Sequence, residues 1–157
     1  MQNLVKKVDA LMRFALAETP QRREEAQSAI RSLLDRSGNL ATDPESVIRS
    51  VLLDLGVPDR VLGHGYLATA IRLVVEEPLY ARHITTMLYP TVGRLHGSTK
   101  SKAERAIRHA VELAFDRGDT NVLYKYFGNT VDGNRGKATN SEFIIRIANY
   151  VRSLTGE

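Results

Sequence analysis

Cysteine is absent from all 157 residues. That excludes disulfides, thiolate nucleophiles and every cysteine-based zinc site, and it accords with a reducing compartment. Long apolar runs are missing too. The longest stretches free of Asp, Glu, Lys and Arg, such as Val61–Ile71 and His83–Gly93, hold eleven residues each. A membrane span needs about 20, so no membrane partner is expected and a cytoplasmic address is the default. The opening MQNLVKKVDALMRFALAE sets Asp9 and Arg13 inside its apolar run and offers no small-residue cleavage site, which argues against a signal peptide. No segment alternates apolar and polar residues over a useful length, so strands are not expected.

Catalytic signatures are equally scarce. His64, His83, His96 and His109 have no helical partner at i+3 or i+4, and no H-E-x-x-H or paired-carboxylate motif accompanies them. They read as ordinary surface or capping histidines. Gly133-Asn134-Arg135-Gly136-Lys137-Ala138-Thr139 fails as a phosphate loop. Its glycines are two residues apart rather than four, Ala138 stands where Ser or Thr is needed, and no strand precedes it. A G-x-S-x-G elbow is absent. The chain is expected to be neither an enzyme nor a cofactor binder.

What remains is a helix-rich chain, 43% hydrophobic and 25% charged, able to bury a core. Residues 1–40 read as an N-terminal helical hairpin. Leu4, Val8, Leu11 and Met12 recur at helical spacing, Thr19-Pro20 interrupts, and Ala26, Ile30, Leu33 and Leu34 follow before Ser37-Gly38-Asn39. Residues 43–155 read as a second domain. Asp43-Pro44 opens a helix carrying Val47, Ile48, Val51, Leu52 and Leu55, and Gly56 suits a left-handed C-terminal cap. Helices are expected from Tyr66 to Glu76, Leu79 to Leu88, Pro90 to Leu95, Lys100 to Arg117 and Thr120 to Phe127. Thr139-Asn140-Ser141-Glu142 is a capping box for a last helix bearing Phe143, Ile144, Ile147, Ala148 and Val151. The fold class is all-α: a helical bundle containing a helix-turn-helix, preceded by the hairpin.

Charge points toward a partner. Lysine and arginine exceed the acids by four, and 16 of those 22 bases are arginine, whose planar fork suits phosphate and guanine edges. A G- and C-rich genome would also inflate arginine. The informative stretch is Arg94 to His109, where Arg94, Lys100, Lys102, Arg105 and Arg108 face a single acid, Glu104. On the Lys100–Arg117 helix, Ala103, Ile107, Ala110, Val111 and Ala114 form one stripe. Ser101, Arg105, Arg108 and Glu112 occupy another face, with Lys102 and His109 alongside. A short helix, a Gly-containing turn and a helix with a cationic N-terminal half match a helix-turn-helix, although a merely solvated face shows similar charge.

The runs MLYPTVGRLHGSTKSKAERAIRHAVELAFDRG, YFGNTV and KATNSEFI, with LGVP (Leu55–Pro58) and GYLATAI (Gly65–Ile71), closely resemble the C-terminal DNA-binding domain of the sporulation initiation response regulator of endospore-forming bacteria. The resemblance runs from near Val47 to about Leu154. It implies an all-helical domain that binds promoter DNA and activates or represses transcription, with double-stranded DNA as partner and RNA polymerase as a further one. Its DNA-reading positions fall on Ser101, Lys102, Glu104, Arg105, Arg108 and His109. Lys102 stands where the family usually has arginine, which loses fork geometry at that position. Ala103 replaces a larger aliphatic residue.

On this reading Arg105 and Arg108 contact guanine, and Glu104 either accepts from cytosine N4 or orients a neighbouring arginine. Ser101, Lys102 and the helix N-terminal amides hold phosphate. Lys100 and Arg94 add charge, and Lys137 and Arg135 add backbone contacts. About 42 helical-looking residues precede the match, too few for the receiver domain that normally sits there. The chain is therefore either cut short of that domain or a relative standing without it; a well-patterned helix directly after Met1 favours the second. Self-association of residues 1–40 into a homodimer is expected. The alternative from another class is an interaction module that pairs with, and antagonises, a full-length regulator.

Overall fold

A computed structural model describes residues 5–10, 21, 24–33, 43–128 and 136–156, and among these no residue lies in a strand. The fold is all-α. The chain divides into two compact units, Met1–Thr42 and Asp43–Glu157. In the first, residues 5–10 and 24–33 are helical; Ala26 is buried, Val8, Ile30 and Leu33 are half-buried, and Val5 is exposed. Leu4, Leu11, Met12, Leu34 and the Thr19-Pro20 and Ser37–Asn39 breaks lie outside the described residues.

The second unit starts with α1 (Pro44–Asp54), whose N-cap Asp43 accepts from the Ser46 amide at 3.1 Å and the Ser46 hydroxyl at 2.7 Å. These hydrogen bonds hold the Asp43 carboxyl below its ordinary range. Leu55 caps the other end, and Gly56 follows at φ +81°, the left-handed geometry glycine adopts without strain. Next comes α2 (Leu62–Glu76). It begins four residues ahead of the expected Tyr66, because Gly63 and Gly65 lie inside the helix rather than breaking it. At Gly63 a Cβ would lie 2.2 Å from the Ala106 carbonyl oxygen. The glycine is there for close approach to another helix.

The expected helix from Leu79 to Leu88 is interrupted. After α3 (Leu79–Arg82), His83 leaves helical geometry at φ −133°, and Ile84–Leu88 forms a π-helical turn. The amides of Met87 and Leu88 both donate to the His83 carbonyl, at 2.9 and 3.0 Å. Pro90 follows at the start of α4 (Tyr89–Leu95) with no N–H to return to the preceding turn, and widened turns are one way a helix accommodates such a gap.

Then come α5 (Lys100–Arg117), α6 (Thr120–Phe127) and α7 (Asn140–Thr155). The expected capping box is present: Thr139 accepts from the Glu142 amide at 3.2 Å, and Glu142 accepts from the Thr139 amide at 3.0 Å.

One apolar core joins these helices. It takes Ile48, Leu52 and Leu55 from α1 and its end, Leu67, Ala70 and Ile71 from α2, Ile107, Ala110 and Ala114 from α5, and Phe143, Ile144 and Ile147 from α7. Phe115, Phe127 and Phe143 cluster at centroid distances of 5.1–6.4 Å. No helix among the described residues is long and apolar enough to cross a membrane.

Candidate nucleic-acid interface

The turn between α4 and α5 is built by glycine and by capping. Gly97 adopts φ +61°. The Ser98 amide donates to the Gly93 carbonyl at 2.7 Å and the Gly97 amide to the Arg94 carbonyl at 3.1 Å. A Cβ on Gly93 would lie 2.8 Å from both the carbonyl carbon and oxygen of Thr99, so glycine lets the end of α4 touch the start of α5. Thr99 then caps α5, its hydroxyl accepting from the Lys102 amide at 3.2 Å.

The turn is also pinned from behind. The His96 ring stacks on Tyr66 of α2 at a centroid distance of 4.4 Å, and His96 Nε2 lies 2.8 Å from the Thr69 hydroxyl. The anchor leaves no mark in the sequence, since Thr69 lies 27 positions from His96. The expectation of ordinary surface or capping histidines is corrected at His64. That residue is buried, with Nδ1 3.3 Å from the Val57 carbonyl oxygen.

On α5 the stripe of Ala103, Ile107, Ala110, Val111 and Ala114 is buried, while Lys100, Ser101, Lys102, Arg105, Arg108 and His109 are exposed and Glu104 is half-buried. Arg94, in the last turn of α4, is exposed as well. A groove of about 530 Å³ beside α5 brings Lys102, Arg105, Arg108 and His109 together with Leu62 and Tyr66 of α2. Leu62 is 70% exposed. It gave no signal in the sequence, where the helix is expected to start at Tyr66.

A second groove, on the other side of Arg108, is lined by Tyr89, Glu104, Arg108, Lys137 and Asn140. There Arg108 Nη2 donates to Glu104 at 2.8 Å, so Glu104 braces Arg108 across one helical turn. Asn140 Nδ2 donates to the Tyr89 hydroxyl at 3.3 Å, and burial pushes the Tyr89 phenol up. Lys137 reaches α5 through a 2.7 Å pair with Asp116, a hydrogen bond that raises the ammonium above its ordinary value. Arg135 lies outside the described residues. Among the described residues no cluster of His, Asp and Glu could hold a metal ion.

The electrostatics of the first turn of α5 run against stability. The positive end of a helix favours acids and disfavours cations by about 0.3–1 kcal/mol each at exposed sites. Yet Lys100 and Lys102 sit there and no acid does. Arg94 differs, because it stands in the last turn of α4 where a cation is favourable. A positive helix end that carries lysines and no acid suits anionic oxygen.

The family model described as "Sporulation initiation factor Spo0A C terminal" matches residues 48–151, two-thirds of the chain, from within α1 to near the end of α7. All of the helix-turn-helix lies inside that match. The chain therefore belongs to the family of the Spo0A C-terminal domain, the DNA-binding effector domain of a sporulation regulator.

Proposed function

We propose that this protein is a sequence-specific DNA-binding transcription factor that lays α5 in the major groove with α4 braced across the backbone. The observation that carries the reading is the capped, glycine-built turn that projects an exposed cationic N-terminal half of α5 from a buried apolar back. Arg105 and Arg108 read guanine, the second presented in a fixed pose by Glu104. Because that carboxylate is already engaged, orientation is favoured over a direct contact to cytosine. Lys100, Ser101 and Lys102 hold phosphate near the helix end, Arg94 extends the positive surface, and His109 adds a polar contact beside it. Lys137, tied to Asp116, meets backbone phosphate at the outer edge. Leu62, in the groove with Arg105, offers apolar surface to a sugar or a thymine methyl group.

Selection of bound duplexes from a random pool, followed by titration at several salt concentrations, tests this. Arg105→Ala and Arg108→Ala should each cost about 1–3 kcal/mol on the selected site and much less on random DNA. Lys102→Ala should weaken both similarly and lower the salt slope by about one charge. Equal losses on selected and random DNA for both arginine variants would show that they supply charge alone.

Residues 1–40 form a homodimer contact in this reading. An apolar stripe in a segment this short rarely makes a core by itself, and Val8, Ile30 and Leu33 are only half-buried, with Val5 65% exposed. Two copies fit a DNA site with two half-sites. RNA polymerase is the downstream partner such a factor addresses.

A further inference from the structure

A pocket of about 210 Å³ lies between α1 and α2, behind the His96 turn. Arg49 comes to it from α1, Arg72 and Thr69 from α2, and the imidazoles of His64 and His96 complete the polar lining. Gly65 and Ala68 keep it open; the nearest atom to a Cβ built on Gly65 is His96 Cε1, at 3.7 Å. Space on this scale holds several waters or one small hydrated ion.

The donors and acceptors are specific. A carbonyl only accepts, so the 3.3 Å contact between His64 Nδ1 and the Val57 oxygen places the imidazole hydrogen on Nδ1. In the neutral ring Nε2 is then an acceptor. Glu76 engages Arg72 through Nη1 at 3.0 and 3.2 Å, and a guanidinium has further N–H groups to offer. Arg49 and Arg72 line the pocket with one carboxylate, Glu45, while Glu76 pairs with Arg72 from outside the lining.

We propose that this pocket binds inorganic phosphate. Arg49 and Arg72 supply charge-assisted hydrogen bonds to its oxygens, and the Thr69 hydroxyl adds another when its oxygen accepts from His96 Nε2–H and its own hydrogen turns to the ion. The P–OH of hydrogen phosphate donates to His64 Nε2, a hydrogen that fully ionised sulfate lacks. The bound ion lies against His96, the residue that opens the turn before α5.

The test is a titration of the full chain with inorganic phosphate near pH 8 at constant ionic strength, following the imidazole resonances of all four histidines by NMR. The His64 and His96 signals should move saturably while His83, which does not line the pocket, stays in place. Arg49→Gln, on the exposed face of α1, should weaken phosphate binding about tenfold or more, and sulfate should bind at least tenfold more weakly than phosphate. The proposal is overturned if no shift saturates, if all the histidines move in parallel, if Arg49→Gln binds as before, or if sulfate matches phosphate. It is equally overturned if only duplex DNA moves His64, which would make the pocket a backbone contact. The DNA-reading assignment of α5 stands or falls on the separate titrations of Arg105 and Arg108.

Discussion

Substituting Gly63 by alanine sets two known effects against each other. In a helix, Gly→Ala gains up to about 1 kcal/mol. Here the added Cβ would lie 2.2 Å from the Ala106 carbonyl oxygen and 2.8 Å from the Ala110 Cβ, where ordinary contact begins at 3.4 Å. Neither obstacle can rotate away, so α2 and α5 would have to part by roughly 1 Å in a close-packed core. Overpacking of this kind costs about 1–3 kcal/mol, and occasionally more. With backbone as the opposing atom the upper end applies, and the propensity gain offsets only part of it. Gly63→Ala should therefore lose about 2 kcal/mol in urea melts, and the melting temperature should fall on the order of 8 °C.

Gly65→Ala, two residues along the same helix, is the control. Its Cβ would meet only His96 Cε1, at 3.7 Å, so stability should hold or rise by up to about 1 kcal/mol. A Gly63→Ala protein as stable as the parent would refute the close crossing of α2 and α5.

Alkali should unfold the domain through its tyrosines. Tyr126 is raised far above 10.0 by burial and by the hydrogen bond to Asp54, and Tyr89 is raised by burial. Folded values above the unfolded ones mean that their contribution is complete below about pH 10 and declines as pH rises further, because the unfolded chain releases its protons first. Urea midpoints measured across that range should fall, and Tyr126→Phe should flatten the decline; an unchanged slope would remove Tyr126 from the account. For residues 1–40, sedimentation should give a dimer for the full chain and a monomer for one starting at Thr42, and two monomers would sink the dimer.

Helix ends marked by local chemistry were legible. Asp43-Pro44, the Thr139/Glu142 box and the Lys100–Arg117 bounds need only residues three or four apart, and the structure reproduces all three. So was the apolar back of α5, since period alone places Ala103, Ile107 and Ala110 together. Features set by distant partners were not legible. Gly63 reads locally as a helix breaker, and only Ala106, 43 positions on, explains it. His83 carries no residue type that announces the bend before the π-turn. His64 shows nothing in sequence of its bond to Val57 across the α1–α2 connection. The Glu104–Arg108 spacing left two roles open for Glu104, and the ion pair favours orientation.

The Arg152 guanidinium, on α7, donates to the carbonyls of Val74 and Val75, closing the end of α2 from 77 residues downstream. The same helix brings Phe143, Ile144, Ile147, Ala148 and Val151 into the core against α2. A ribosome thus delivers α5 well before the helix that seals the scaffold behind it. Until residue 152 has left the exit tunnel, α2 keeps open carbonyls and an uncovered apolar side, and α5 lacks a rigid back.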